Sequence, residues 1–447
     1  MSTASPPQPP ASTDTPLKRA LTTPLLYFFI LGDTLGAGVY VLVGEIAADA
    51  GGAVWAPLLL ALGLALLTAA SYAELATKYP RAGGASHYAT RAYGPFAGFV
   101  TGFCMLAAGI VSVGALARGF GGDYLAEFVT LPVALVAVVF LLVLALVNAR
   151  GIQESTRANV VATVIEVGGL LLVVGLGAWL LLRGDGDLSR LGRLGTPEQG
   201  AAAALLSGAV LAFYSFVGFE TSVNVAEETR DPRRSYPRAL FGALATAGVV
   251  YLLVGVVASA SVPTERLAGS SGPLLEVVRA AGGVPGWLFG AIALVAVANG
   301  ALLTGIMSSR LAYGMARDGL LPPVLARVLP VRRTPWAAIA ATTVLSMLLA
   351  VTGSVATLAS TLVLLLLVVF LVVNTAVLVL RRNDPRGESA VGHFRAPAAV
   401  PVLGAASCVV LATQVEGEVW ARGGVVLTAG AVLAAFAALR NRRRATA

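Results

Sequence analysis

Twelve long apolar stretches, separated by short polar segments, follow one another from residue 24 to residue 439. They lie near residues 24–48, 54–76, 90–116, 130–148, 159–182, 201–225, 238–261, 286–313, 336–352, 355–380, 398–414 and 419–439. Each stretch is continuously apolar rather than alternating, which favours helices over the strands of a barrel. About 20 apolar residues span a bilayer as a helix. The pattern therefore predicts an all-α polytopic membrane protein with 12 transmembrane helices.

The composition excludes several other classes of protein. Of the 447 residues, 57% are hydrophobic and 12% are charged, whereas a soluble domain carries about 25% charged residues. Cys104 and Cys408 lie far apart in apolar stretches, without the spacing of a disulfide framework or a metal site. His87 and His393 have no catalytic or metal-binding companions. We expect a protein embedded in the lipid bilayer that is no enzyme, holds no cofactor or metal and binds no nucleic acid.

Positive charge is distributed unevenly between the two sides of the predicted bundle. Of the 31 Lys and Arg residues, 23 fall on the side that carries both termini and seven on the other. The positive-inside rule then places both termini in the cytoplasm and the protein in the plasma (inner) membrane. The remaining residue, Arg310, lies near the inner end of the eighth predicted helix, where we expect it to extend to the interface or pair with a loop acid.

The two ends of the chain differ from the apolar stretches. Residues 1–23 are rich in Pro, Ser and Thr and lack the apolar core of a cleavable signal peptide. We predict that they form a disordered cytoplasmic tail, and that residues 440–447 form a basic cytoplasmic tail. Among the outer loops, residues 273–281 have the pattern of a short amphipathic helix.

Polar residues and glycines interrupt two of the apolar stretches. The first contains Gly-Asp-Thr-Leu-Gly-Ala-Gly at 32–38, and the sixth contains Tyr-Ser-Phe-Val-Gly-Phe-Glu at 214–220. Because the sixth helix comes five positions after the first, an odd number, the two run in opposite directions across the membrane. Corresponding interruptions in two inverted halves are typical of a transporter's binding site at mid-membrane. Close helix packing through small residues is the alternative for the first stretch taken alone.

Five short motifs, in this order and at this spacing, resemble the amino acid–polyamine–organocation (APC) transporter superfamily. They are Gly-Ala-Gly-Val-Tyr at 36–40, Tyr-Ala-Glu-Leu at 72–75 with Pro-Arg-Ala-Gly-Gly at 80–84, Gly-Phe-Glu at 218–220 with Ala-Glu-Glu at 226–228, Asp-Pro-Arg-Arg-Ser-Tyr-Pro-Arg at 231–238, and Tyr-Gly-Met-Ala-Arg-Asp-Gly at 313–319. They cover residues 24–380, and together they identify the family better than any one alone.

The resemblance implies a five-plus-five inverted-repeat transporter fold with discontinuous helices 1 and 6. Residues 24–182 would form the first repeat (helices 1–5), residues 199–382 the second (helices 6–10), and residues 397–439 two additional helices (11–12). It also implies a secondary active transporter that works by alternating access.

The same resemblance implies where a small-molecule amino acid would bind. The substrate carboxylate would meet backbone amides at Gly36, Ala37 and Gly38. The amino group would meet carbonyls near the second interruption, where an aromatic residue at 214 would help to enclose the substrate. The residues implied there are Tyr214, Ser215, Phe216, Val217 and Gly218.

Three acids lie at membrane depth and are candidates for energy coupling: Asp33, Glu166 and Glu220. An ionisable residue is costly there unless it has a partner or a function. Some proton-coupled relatives carry a lysine at the position that aligns with Glu166, and a carboxylate cannot replace that positive charge. We therefore predict that Glu166 carries a proton, and that Asp33 shares it as a neighbouring carboxyl. Glu220 is a gating or proton-accepting residue, or else a structural one.

Three alternatives remain open at this point. Thr304 and Ser308 share one face of the eighth helix, so their oxygens could complete a sodium site with Asp33 and Glu166. Transport could also proceed by substrate exchange (antiport), with neither protons nor sodium. Finally, Asp33 and Glu166 could bind a second amino group, in which case the substrate would be a polyamine or a cationic amino acid.

Overall fold

The helices of the computed structural model largely follow the predicted apolar stretches. It describes residues 21–35, 38–80, 84–150, 155–195, 199–330, 332, 334–383 and 392–445, and of residues 155–158, 225, 227–228, 434 and 436–445 it describes the backbone only. The helices are α1 (Thr23–Leu35), α2 (Gly38–Ala50), α3 (Trp55–Lys78), α4 (Gly84–Tyr93), α5 (Pro95–Phe120), α6 (Asp123–Ala126), α7 (Val133–Arg150), α8 (Ser155–Leu182), α9 (Ala201–Ser215), α10 (Pro232–Ser261), α11 (Thr264–Ala268), α12 (Pro273–Ala281), α13 (Gly286–Arg317), α14 (Trp336–Thr352), α15 (Val355–Asn383), α16 (Ala399–Ala412) and α17 (Gly417–Ala445). Short 3₁₀ helices span Leu188–Gly192, Phe219–Glu228 and Pro323–Ala326.

The described residues confirm an all-helical fold of apolar helices. Seven of these helices are long and apolar enough to cross a membrane singly, and the number rises to nine if two bent helix pairs each count as one span. The bent pairs are α1 with α2, at 40°, and α16 with α17, at 117°. Helices α9 and α14 are apolar but have only 15 and 17 residues. Length and composition alone therefore leave twelve spans as a prediction.

Two details differ from the sequence-based expectation at the predicted cytoplasmic side. The third predicted stretch, 90–116, begins inside α4, and α5 starts separately at Pro95. Gly94 adopts φ 93° between the two helices, a conformation that glycine permits, and Pro95 occupies the favoured first helical position. The predicted tails also overlap the helices, because α1 begins at Thr23 and α17 continues to Ala445.

Outside the bundle, the predicted amphipathic helix at 273–281 is confirmed as α12. Its apolar side chains are buried, and its arginine, Arg279, forms ion pairs with Glu276 and with Glu127. Arg266 of α11 also pairs with Glu276, at 2.5 Å. These ion pairs join α12 to α11 and to Glu127, which follows α6.

A buried cluster of aromatic rings fixes the segment that follows α9. Phe219 and Phe370 stack with their ring centroids 5.6 Å apart, and Tyr72 meets both rings edge to face at 5.9 Å. Phe213 adds a further edge-to-face contact with Phe370, at 5.8 Å. Because α3 and α15 supply two of these rings, they hold the 3₁₀ segment Phe219–Glu228 against the core.

A buried ion pair joins α3 to the end of α15. Arg381 Nε donates to Glu74 Oε1 over 2.7 Å, and the Ala396 amide donates to Glu74 Oε2 over 2.9 Å. The side chain of Glu74 is only 3% exposed. The ion pair between Arg381 and Glu74 is thus largely withdrawn from water.

We expect Arg381→Met to lower thermal stability markedly, because it leaves the Glu74 carboxylate buried without its cation. Breaking a buried pair from one side costs about 3–5 kcal/mol. Thermal unfolding of the purified protein in detergent measures the effect. Arg422→Met is the control, since Arg422 pairs with Glu418 on the surface and such pairs contribute about 0–1 kcal/mol. Equal melting temperatures for the two variants would contradict the expectation.

Candidate functional site

The first predicted interruption lies where α1 and α2 meet at a bend. Helix α1 ends at Leu35, α2 begins at Gly38, and the two are bent by 40°. The Tyr251 hydroxyl, from α10, donates to the Thr34 carbonyl over 2.7 Å, so a side chain supplies a hydrogen bond at the end of α1. Gly36 and Ala37, both predicted to bind the substrate carboxylate, lie outside the described residues.

The second predicted interruption is confirmed at the end of α9. Helix α9 stops at Ser215, and the amides of Phe216 and Val217 bond to carbonyls three residues back, the tightening typical of a helix end. Gly218 then adopts φ 129°. The chain continues as a 3₁₀ helix rather than as the predicted apolar helix to residue 225.

The two interruptions touch each other. A Cβ atom on Gly218 would lie 2.5 Å from the Asp33 carbonyl oxygen, and a Cβ atom on Gly38 would lie 2.9 Å from Ser215 Cα. Both distances are shorter than real Cβ atoms tolerate, and the opposing atoms belong to backbone. Only glycine lets the two broken segments approach this closely.

A cavity of about 370 Å³ opens beside this contact. Its lining comes from both interruptions and from α4, α5, α13 and α15, and it includes Asp33, Thr34, Gly38, Ser86, Met105, Ser112, Leu116, Tyr214, Ser215, Val217, Gly218, Glu220, Thr221, Asn224, Thr304, Met307, Ser308, Arg310, Leu362 and Leu366. We call it the central cavity. Its volume suits a small organic molecule of amino acid size.

Two hydroxyl groups in the lining are buried without a partner. Thr34 Oγ1 and Ser215 Oγ are both inaccessible to solvent and accept or donate no hydrogen bond within the described residues. A buried polar atom normally has a partner, so these two hydroxyls are unusual polar groups of the cavity wall. Tyr214, by contrast, shares a hydrogen bond of 3.1 Å with Ser112, and it lines the cavity as predicted instead of facing lipid.

Asp33 and Glu220 bring two carboxyls to the same cavity. Thr221 donates a short hydrogen bond to Asp33 Oδ2, which links α1 to the segment after Gly218. The Gly218 amide donates to Glu220 Oε2 over 2.8 Å. Each acid therefore accepts a hydrogen bond from a residue at the second interruption.

Glu166 lies outside the cavity lining but next to α1. It is fully buried, and the Asn299 amide donates to its Oε1 over 3.1 Å, while Oε2 has no partner within the described residues. Helices α1 and α8 adjoin here, because a Cβ atom on Gly32 would collide with Thr163 Oγ1. Glu166 therefore has a buried carboxyl oxygen without a partner among the described residues, on the helix that adjoins the helix of Asp33.

The four residues of the sodium hypothesis are not all brought to the cavity. Thr304 and Ser308 line it with Asp33, but Glu166 does not. The Ser308 hydroxyl donates to the Thr304 carbonyl over 2.8 Å. Among the residues that the structure describes, no group of three His, Cys, Asp or Glu side chains is arranged to hold a metal ion.

Two residues from the sequence analysis differ in how they lie relative to the cavity. Arg310, expected at the interface or paired with a loop acid, is exposed, lines the cavity and makes no ion pair with any described residue. Phe216 is buried outside the lining, edge to face with Tyr251 at a centroid distance of 5.3 Å. Its side chain therefore supports the fold of the interruption.

Sequence reasoning also missed several polar contributors: Ser112, Thr221, Tyr251 and Asn299. Asn299 had a detectable signal, because an amide in the middle of a long apolar helix needs a partner. The other three became recognisable only when the fold brought them to Tyr214, Asp33 and Thr34.

Comparison with known proteins shows that the chain is similar to membrane transporters. The amino acid permease family matches residues 21–427. The branched-chain amino acid permease BcaP of Bacillus subtilis is 27% identical over 87% of this chain and 85% of its own length, and the methylthioribose transporter of that bacterium is 27% identical over 90% of each chain. The vacuolar cationic amino acid transporter 4 of Arabidopsis thaliana is 31% identical over 80% of this chain, which spans 62% of that transporter's length.

Proposed function

The chain belongs to the amino acid permease family, and we propose that it is a secondary active transporter that moves amino acids across the plasma membrane by alternating access. In this proposal it has twelve transmembrane helices in a five-plus-five inverted repeat plus two further helices, with both termini cytoplasmic. The observation that carries the proposal is the contact between two interrupted helices beside a cavity, two of whose hydroxyls have no partner among the described residues.

The substrate would bind where these broken helices expose backbone groups. A carboxylate would accept hydrogen bonds at the start of α2, near Gly36, Ala37 and Gly38, where free amides and the helix dipole favour an anion. The amino group would meet carbonyls near Tyr214 to Gly218. The Thr34 and Ser215 hydroxyls would complete the polar contacts, and Tyr214 would close over the bound molecule.

Uptake by proteoliposomes tests this function directly. Purified protein is reconstituted, and labelled neutral, acidic and cationic amino acids are offered in turn, with putrescine and methylthioribose beside them. Accumulation of at least one amino acid above protein-free vesicles supports the proposal. Transport of putrescine or methylthioribose with no amino acid transported would contradict it.

We expect Ser215→Ala to weaken substrate binding about 5- to 13-fold without lowering stability. The hydroxyl has no partner within the described residues, so its removal breaks no internal bond, whereas a hydrogen bond to a substrate contributes about 1–1.5 kcal/mol. Substrate-induced thermal shift and the KM for uptake measure the effect. Ser259→Ala is a matched control, because its hydroxyl is also buried and unpartnered within the described residues but does not line the cavity; similar KM values for both variants would contradict the expectation.

Proton coupling through Glu166 is the second part of the proposal. A carboxylate buried without a cation is strongly disfavoured relative to the neutral acid, and Glu166 has one amide donor and no ion pair among the described residues. Asp33 would exchange the proton with it across the α1–α8 contact, and Glu220 would respond as the sixth span moves. Substrate exchange without a coupling ion is the competing mechanism, and sodium coupling is less favoured because Glu166 does not line the cavity with Thr304 and Ser308.

A further inference from the structure

Arg310 is a cation in the wall of the central cavity. It lies on α13 three residues after Met307, so the two share a helix face, and both contribute to the lining. It is six residues beyond Thr304, about 9 Å along the helix axis. Its position is therefore on the side of the cavity that the charge distribution predicts to be cytoplasmic.

The Arg310 guanidinium forms no ion pair and no hydrogen bond with the described part of the chain. Arg381 and Arg279 form ion pairs, and Arg118 donates to the Ala350 carbonyl, but Arg310 has no such contact there. The lining also holds two acids at the interruptions, where Asp33 accepts from Thr221 and Glu220 accepts from the Gly218 amide. Among the described lining residues, the single cation is Arg310, on the predicted cytoplasmic side.

A positive charge in a narrow cavity acts strongly on its contents. Low-dielectric walls concentrate the field of a charge, and an arginine side chain stays protonated at any physiological pH. Its planar guanidinium can donate two parallel hydrogen bonds to a carboxylate. It also repels a second ammonium group.

We propose that Arg310 sets the charge preference of the transporter: it attracts the carboxylate of an amino acid whose side chain is neutral or acidic and disfavours cationic amino acids and polyamines. This inference rests on the proposed function and specifies its substrate class. It separates this chain from the vacuolar cationic amino acid transporter to which it is similar.

Competition during uptake of labelled leucine tests the inference. The inhibition constants of leucine, glutamate, lysine and putrescine are compared for the wild type, Arg310→Gln, Arg310→Met and Arg310→Lys. The wild type should favour leucine or glutamate over lysine by at least about tenfold, and the neutral variants should reduce that ratio about tenfold, as expected for loss of one nearby charge. Arg310→Lys should keep most of the preference, and Arg327→Gln, which removes an exposed arginine outside the cavity, should leave it unchanged.

A lysine-to-leucine ratio within twofold of wild type in folded Arg310→Gln or Arg310→Met would overturn the inference, and so would a wild type that prefers lysine or putrescine. If both neutral variants fail to fold, the wild type alone decides, because raising the salt concentration screens charges and should reduce its preference. If the wild type transports no amino acid at all, the proposed function fails instead.

Discussion

Replacing Glu166 by glutamine should abolish accumulation driven by a pH gradient while leaving substrate binding partly intact. Glutamine keeps the shape of the side chain and an oxygen for the Asn299 amide, but it cannot bind or release a proton. A gradient of one pH unit provides about 1.4 kcal/mol per proton, enough for roughly tenfold accumulation by one-proton symport. We therefore expect an accumulation ratio near tenfold in wild-type proteoliposomes and near one in Glu166→Gln.

Two comparisons make this result specific for a proton site. Glu166→Asp retains a titratable carboxyl in the same buried place and should keep part of the pH-driven accumulation. Binding measured by thermal shift should persist in Glu166→Gln, since Glu166 does not line the cavity. Unchanged pH-driven accumulation would remove Glu166 from the mechanism, equal uptake with and without every imposed gradient would favour exchange, and accumulation driven by sodium would favour the cation site.

The sequence predicts features of this protein that depend on neighbouring residues. Glycines and polar residues inside apolar stretches mark both interruptions, because a continuous helix in lipid would rarely contain them. The amphipathic period of residues 273–281 likewise predicts α12, since its buried face is defined within nine residues. Gly94 and Pro95 carry a comparable signal for a helix boundary, which the apolar run that surrounds them obscures.

Contacts between distant residues could not be predicted in this way. Thr221 donates to Asp33 across 188 residues of sequence, and neither residue type specifies the other. Arg310 illustrates the same limit: its position in sequence is compatible with the interface, with a loop acid or with the cavity, and the packing of α13 against α5 brings it to the cavity lining. The substrate contacts depend on such packing throughout.

Gly218→Ala should reduce uptake at least about 100-fold, the largest loss that we expect from adding a single methyl group. Gly218 has φ 129°, a conformation that side chains with a Cβ rarely adopt, and the new Cβ would lie 2.5 Å from the Asp33 carbonyl oxygen. The strain and the clash together cost several kcal/mol, and they can be relieved only by separating the two interrupted spans.

Initial rates of uptake, normalised to reconstituted protein, measure the effect of this substitution. Gly63→Ala is the matched control, because a methyl group on Gly63, in α3, would meet no atom of another described segment within 4 Å, and this variant should transport at the wild-type rate. A separation of the spans would move the Thr221 hydroxyl away from Asp33, so substrate-induced thermal stabilisation should disappear as well. Uptake by Gly218→Ala equal to that of Gly63→Ala would mean that the close backbone contact is not required for transport, and the binding site would then have to be sought away from the two interruptions.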